Sequence, residues 1–152
     1  MKVKVTPSKV SGNIKIPASK SMAHRALICA SLSDGTSIVS NVTNSKDIEA
    51  TVGCMKALGA KIKQLDETTY EVIGTNLFKQ EGNITCNANE SGSTLRFLIP
   101  LAACTNAKVK FLGQGRLLQR PMDVYANEFK EQNIEFNQSN KEIIVRGNLQ
   151  AK

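Results

Sequence analysis

Apolar side chains recur along this chain with two periods, and the switches between them mark out its elements. Ile14 and Ile16 alternate with polar neighbours up to Pro17, which predicts a strand over residues 13–17. From Ala23 onward apolar residues fall at positions 23, 26, 27 and 30, one face of a helix that opens near Ser19 or Lys20. The same reading gives a strand over 36–42, a helix over 45–58, and strands over 61–65 and 69–74. The second half repeats that order, with a strand over 83–87, a helix over 93–104, a strand over 107–112, a helix opening at Pro121, and strands over 134–138 and 142–147. Each half therefore reads βαβαββ, with a repeat of roughly 70 residues. The expected fold class is α/β, of the α+β kind, with units at 13–79 and 80–152.

Local signals support the boundaries. Ser45 suits an N-cap, Asp47 and Glu49 fall in the first turn where the helix dipole favours acids, and Gly59 closes a helix whose inner face is Ile48, Val52 and Met55. Pro121 suits a first helical position, with Met122, Tyr125 and Phe129 on the buried stripe. Residues 66–68 and 139–141 are turn-formers between paired strands. Pro100 resists the scheme, because inside a helix it removes a hydrogen bond and kinks the turn.

Composition narrows the class. The 152 residues are 41% hydrophobic and 22% charged, the balance of a soluble globular domain. No apolar run approaches the roughly 20 residues that span a bilayer, and Met1 to Val5 lack a signal peptide's apolar core, so the expected location is the cytoplasm, away from membranes. Cys29, Cys54, Cys86 and Cys104 form no CxxC pair and read as reduced core thiols; His24 alone makes no metal site. The net charge of +7 raises the question of nucleic acid. Aromatics are only 5% of the chain, Trp is absent and the lysines are scattered, which fits a few focused cations better than a phosphate-backbone stripe.

Those cations have a focus. Lys20, at the start of the first helix, adds a full charge to N–H groups that have no intrahelical partner. Ser21 and Arg25 lie four apart, one above the other, as do Lys20 and His24, and a guanidinium offers a carboxylate or phosphate a two-pronged contact. The matching helix start in the second unit carries Glu90, Ser91, Gly92, Ser93 and Arg96, and Arg120 precedes Pro121 at a third. Any one of these also describes an ordinary capped surface helix. Three at comparable positions point to a small ligand bearing phosphate or carboxylate.

The stretch from Lys20 to Leu27, the Ser91-Gly92-Ser93 start with Arg96, and the run from Arg116 to Pro121 resemble the N-terminal motifs of the 5-enolpyruvylshikimate-3-phosphate synthases, or 3-phosphoshikimate 1-carboxyvinyltransferases. The resemblance runs through essentially the whole chain. It implies transfer of the enolpyruvyl group of phosphoenolpyruvate to the 5-hydroxyl of shikimate 3-phosphate, through a tetrahedral intermediate that loses phosphate, without metal or organic cofactor. It further implies that Lys20 contacts phosphoenolpyruvate and is a candidate for proton transfer. Ser21 and Arg25 would hold the shikimate carboxylate and ring. The Gly92 backbone and the Arg120 guanidinium would contact the phosphate of phosphoenolpyruvate, with Asp47, Ser93 and Arg96 in support. Gly92 is the form found in glyphosate-sensitive members. The family usually has Asn where Glu90 stands, Thr where Ser93 stands and often Pro where Phe97 stands, and Glu90 brings a negative charge to an anion site.

Family members have two domains of three βαβαββ units each, whereas this sequence carries two units. It stops before the Ser-Ser-Gln segment that binds the substrate phosphate and before later acidic and basic site residues. The resemblance places residues 1–12, with a strand near 2–10, in the other domain. That strand would present an edge open to self-association. The expected partners are the two substrates and the rest of the enzyme, with the chain alone binding weakly and not turning over. Two alternatives remain at this point: a basic RNA-binding βαβαββ module, and a relative of the UDP-N-acetylglucosamine enolpyruvyl transferases, which usually carry Asn where Ser21 stands.

Overall fold

Three helices begin by one device. Ser19, Ser45 and Ser91 sit in extended backbone, and each hydroxyl accepts the N–H three residues on, from Met22 at 3.4 Å, Ile48 at 3.3 Å and Thr94 at 3.2 Å. Each bond satisfies a donor the helix itself cannot. The helices so capped are α1 (Lys20–Leu32), α2 (Lys46–Ala57) and α3 (Gly92–Ala102). Between and after them the computed structural model, which describes residues 2–9, 11–14 and 16–149, places β1 (Thr36–Val39), β2 (Lys61–Gln64), β3 (Tyr70–Ile73), β4 (Asn83–Asn87), β5 (Lys108–Leu112), α4 (Asp123–Glu131), β6 (Glu135–Gln138) and β7 (Ile143–Arg146).

The strands form two sheets. The first has the order β1-β3-β2 and is antiparallel throughout; the second has the order β4-β5-β7-β6, with β4 parallel to β5 and the other pairs antiparallel. In the repeat, β1-β3-β2 matches β5-β7-β6, so β4 has no counterpart in the first sheet. The strand expected over residues 13–17 is not formed among its described members. Ile14 and Ile16 stay 87% and 78% exposed, because an extended segment gains nothing until its N–H and C=O groups enter a ladder. Residues 2–9 likewise form no strand, while Val10, Lys15 and residues 150–152 lie outside the described part.

Each sheet buries one face. Tyr70 and Val72 of β3, Val109 and Phe111 of β5, and Ile143 and Val145 of β7 point inward at alternate positions. They join Leu27 of α1, Ile48 and Met55 of α2, and Leu95, Leu98 and Ile99 of α3 in one apolar cluster. The helix α2 packs on both β2 and β4, tying the sheets together.

One expectation at a helix needs correction. Pro121 does not open α4, which begins at Asp123; Leu117–Gln119 forms a 3-10 turn, and Arg120 is extended, as a residue before proline prefers. Arg120 therefore stands before the helix start, fixed where the backbone N–H of Arg120 bonds Leu117 O at 3.2 Å and Gln138 Nε2 donates to the Arg120 carbonyl at 2.9 Å. Pro100 does lie inside α3, and the carbonyl it cannot pair, that of Arg96 one turn back, accepts the Tyr125 hydroxyl at 3.0 Å. Tyr125→Phe is expected to cost about 1 kcal/mol, one hydrogen bond's net contribution, read as a lower urea midpoint at unchanged slope.

Candidate active site

The starts of α1, α2 and α3 converge, and their side chains meet there. Lys20 Nζ lies 2.6 Å from Asp47 Oδ2, joining the first turns of α1 and α2. The acid at that position also suits the positive end of α2. Both side chains are well exposed, 54% and 31%, so the pair contributes little to stability and serves to fix where the ammonium sits. Arg25 is held twice over. Its Nη1 donates to the Ser21 carbonyl at 3.0 Å, and its guanidinium carbon lies 5.0 Å from the centre of the Phe97 ring on α3.

An open cavity of about 370 Å³ lies between these elements, lined by Asp47, Glu90, Gly92, Ser93, Arg96, Phe97 and Arg120. Asp47, Gly92, Ser93, Arg96 and Arg120, residues to which the resemblance gives site roles, thus share one wall with Glu90. Lys20 and Arg25 reach it at one remove, through Asp47 and Phe97, and Ser21 joins through its backbone carbonyl. Counting Lys20 and Arg25, four cations surround the space against two carboxylates, which suits a ligand carrying negative charge. Gly92 leaves room for a cation: a Cβ there would overlap Arg120 Nη1 and push that guanidinium aside. Glu90 faces the cavity and packs its Oε1 beside Gly115, whose φ of +58° suits glycine.

Beneath the cavity the structure departs from the surface pairing of Lys20 with His24. His24 is fully buried, since positions 24, 27, 28 and 31 are themselves a helical stripe, and that spacing around Leu27 and Ile28 was the signal for it. Its Nδ1 lies 2.7 Å from Thr51 Oγ1, Thr51 lies 2.7 Å from Thr94 Oγ1, and Thr94 donates to Ser91 Oγ at 2.7 Å. Thr51 carries no motif, and the contacts of Phe97 with Arg25 and of Thr94 with Thr51 come only from the packing.

Burial is the main cause that lowers the pKa of His24; Asp47 opposes it, and Lys20 and Arg25 add to it. The unfolded chain takes up a proton as pH falls through the ordinary value of 6.5, while the folded chain resists. Stability from this group is therefore complete above that pH and declines below it. His24→Asn is expected to flatten that decline, seen as a wild-type-to-variant stability gap that narrows between pH 7 and 5 in urea unfolding.

Of the cysteines, Cys54 and Cys86 are buried, and a hydrogen bond with Cys86 followed by burial pushes the Cys54 thiol up, keeping it protonated. Burial likewise raises Cys104. Cys29, expected in the core, is exposed, because its place on α1 falls outside the stripe that packs. No helix among the described residues is long and apolar enough to cross a membrane.

Fold and site together define a repeated α/β protein that gathers cations from several elements around an open, anion-sized cavity. The family model described as EPSP synthase (3-phosphoshikimate 1-carboxyvinyltransferase) matches residues 4–151, and the chain belongs to that family. It is 46% identical over 152 residues to the 3-phosphoshikimate 1-carboxyvinyltransferase of Clostridium perfringens (strain SM101 / Type A), covering 99% of this chain and 36% of that relative. The like-named protein of Clostridioides difficile (strain 630) is 43% identical, with 97% of this chain and 36% of the relative covered. In fold, a solved EPSP synthase from Acinetobacter baumannii superposes with a TM-score of 0.79 at 19% identity, covering 93% of this chain and 33% of that one. The chain thus spans about a third of the length of the relatives it matches.

Proposed function

We propose that this chain supplies one part of the active site of a cytoplasmic 3-phosphoshikimate 1-carboxyvinyltransferase, the rest coming from residues beyond these 152. The observation that carries this reading is the cavity at the α3 start, where Arg96 and Arg120 flank Gly92 and where Asp47 and Phe97 tie in Lys20 and Arg25. In the proposed assignment, Arg120 and the backbone of Gly92 hold the phosphate of phosphoenolpyruvate. Ser21 and Arg25 hold shikimate 3-phosphate, and Lys20 contacts phosphoenolpyruvate as the candidate for proton transfer. Asp47, Ser93 and Arg96 keep these groups in place. Residues 1–12 belong with the other domain, and 13–79 and 80–152 are two of three βαβαββ units in one domain.

The chemistry asks for such a site. The 5-hydroxyl oxygen attacks C2 of phosphoenolpyruvate as C3 takes a proton; loss of phosphate and of a proton from C3 then restores the double bond. Both reactants are anions, so fixed cations offset their repulsion, and preorganised donors stabilise charge as it develops.

Magnitudes decide what these residues do alone. Charge-assisted hydrogen bonds contribute roughly 1.5–3 kcal/mol each, so two or three give about 3–9 kcal/mol before the cost of association. A millimolar dissociation constant already needs about 4.1 kcal/mol net. The 152-residue polypeptide is therefore expected to bind phosphoenolpyruvate weakly and to release no phosphate from the substrate pair. Adding the remainder of the enzyme as a separate polypeptide should restore phosphate release. Turnover by the polypeptide alone would refute its incompetence, and amide resonances of Gly92 and Ser93 that ignore phosphoenolpyruvate would refute the site.

A further inference from the structure

We propose that His24 is a positioning residue for the anion cavity: its Nδ1–H feeds a one-way chain of hydroxyls, Thr51 to Thr94 to Ser91, that fixes the first turn of α3 against α1 and α2. The inference deepens the reading of the cavity above and rests on it for its functional meaning.

Every member of the chain is buried, His24, Thr51 and Thr94 completely and Ser91 to 1% exposure. The three links are each 2.7 Å, and they join α1, α2, α3 and the α3 cap in sequence. Direction follows from the other ring nitrogen. His24 Nε2 is buried with no hydrogen-bond partner among the described residues. A neutral imidazole carries one N–H. A proton on Nε2 would orphan a buried donor, which native structures rarely tolerate, whereas a proton on Nδ1 leaves only an unused lone pair.

With the proton on Nδ1, Thr51 Oγ1 accepts from His24. Each threonine hydroxyl has one proton and two acceptors in reach, and the 2.7 Å contacts win over the Asp47 carbonyl at 3.3 Å: Thr51 turns its proton to Thr94, and Thr94 turns its proton to Ser91. Ser91 Oγ also accepts the Thr94 N–H at 3.2 Å, so both bonds hold it in place as the cap of α3. Ser91 directly precedes Gly92 and Ser93 of the cavity wall, so the chain ends at that turn. Thr51 and Thr94 both lie 3.3 Å from the carbonyl oxygen of Asp47, the residue whose carboxylate holds Lys20. One buried chain therefore touches the backbone that places Lys20 and the cap that places Arg96.

The test uses the 152-residue chain, whose single histidine makes its imidazole resonances unambiguous. A long-range 1H–15N correlation spectrum is expected to show the Nδ1–H tautomer at neutral pH; the Nε2–H tautomer would overturn the proposal. Thr51→Val removes the hydroxyl at nearly constant shape, and Thr51→Ser puts it back. Thr51→Val should change the imidazole pattern, move the amides of Gly92 and Ser93, and weaken phosphoenolpyruvate binding about tenfold, the scale of one hydrogen bond. Thr51→Ser should restore all three. A folded Thr51→Val chain with unmoved Gly92 and Ser93 amides would sink the idea. Should that variant not fold, the wild-type tautomer and the same amides in His24→Asn decide it. Failure of the wild-type chain to bind phosphoenolpyruvate would remove the proposed function instead, with tautomer and amide shifts still deciding whether His24 sets the α3 turn.

Discussion

Arg120→Ala is expected to weaken binding of phosphoenolpyruvate by this chain roughly ten- to 150-fold, the loss of one charge-assisted contact. Arg120 is the cation nearest the Gly92 backbone, and a Cβ on Gly92 would strike its guanidinium. Gly92→Ala should therefore act through Arg120. The atom struck is the far end of a flexible side chain, so the fold tolerates the change while the guanidinium is pushed out of place. The expectation is a severalfold weaker affinity at nearly unchanged stability. Coupled residues fail to add, so the double variant should bind no worse than Arg120→Ala alone. Amide-shift titrations of the four proteins test this, and a double variant weakened by the sum of the two single losses would separate Gly92 from Arg120.

That coupling shows where sequence reading stops. The strand β4 and the helix α2 are visible in the sequence to within a residue or two, because alternation, the Ser45 cap and Gly59 are local signals. The starts at Lys20 and at Gly92 with Arg96 are legible in the sequence, since a repeat places equivalent ends on one side. The third start, at Arg120, is displaced from its helix, and Asp47 reads only as a first-turn acid of α2 until the structure sets it 2.6 Å from Lys20. Distances between units are not legible. Nothing local pairs Tyr125 with the carbonyl that Pro100 frees, or seats Arg25 on Phe97, because those contacts depend on how α3 meets α4 and α1. His24 was misplaced for a different reason. Charge suggested a surface row with Lys20, but the apolar stripe through Leu27 and Ile28 outweighs one imidazole that burial keeps neutral. Residues 13–17 carry a sound strand pattern, yet pattern alone supplies no partner for the backbone.

Phe111→Ala is expected to produce the largest loss of stability, about 3–5 kcal/mol, because it removes a whole ring from a packed interior. Phe111 is fully buried at the centre of the second sheet, opposite Cys86 of β4 on one side and Ile143 of β7 on the other. Its neighbours belong to two strands locked in register, so they cannot collapse into the space, and the cavity cost adds to the lost transfer energy. A domain of this size is stable by roughly 5–15 kcal/mol in total, so about a fifth or more of that margin goes at once. At about 2–4 °C per kcal/mol, the melting temperature should fall by roughly 6–20 °C. Ile14→Ala is the matched comparison: a large apolar side chain is again removed, but one 87% exposed, and the change should stay within about 0.5 kcal/mol. A large loss at Ile14 would mean that residues 13–17 do pair along the free edge of β1. A small loss at Phe111 would mean that the second sheet yields around the void, which would leave the Gly92 turn carried by β4 and α3 less rigid than an anion site needs.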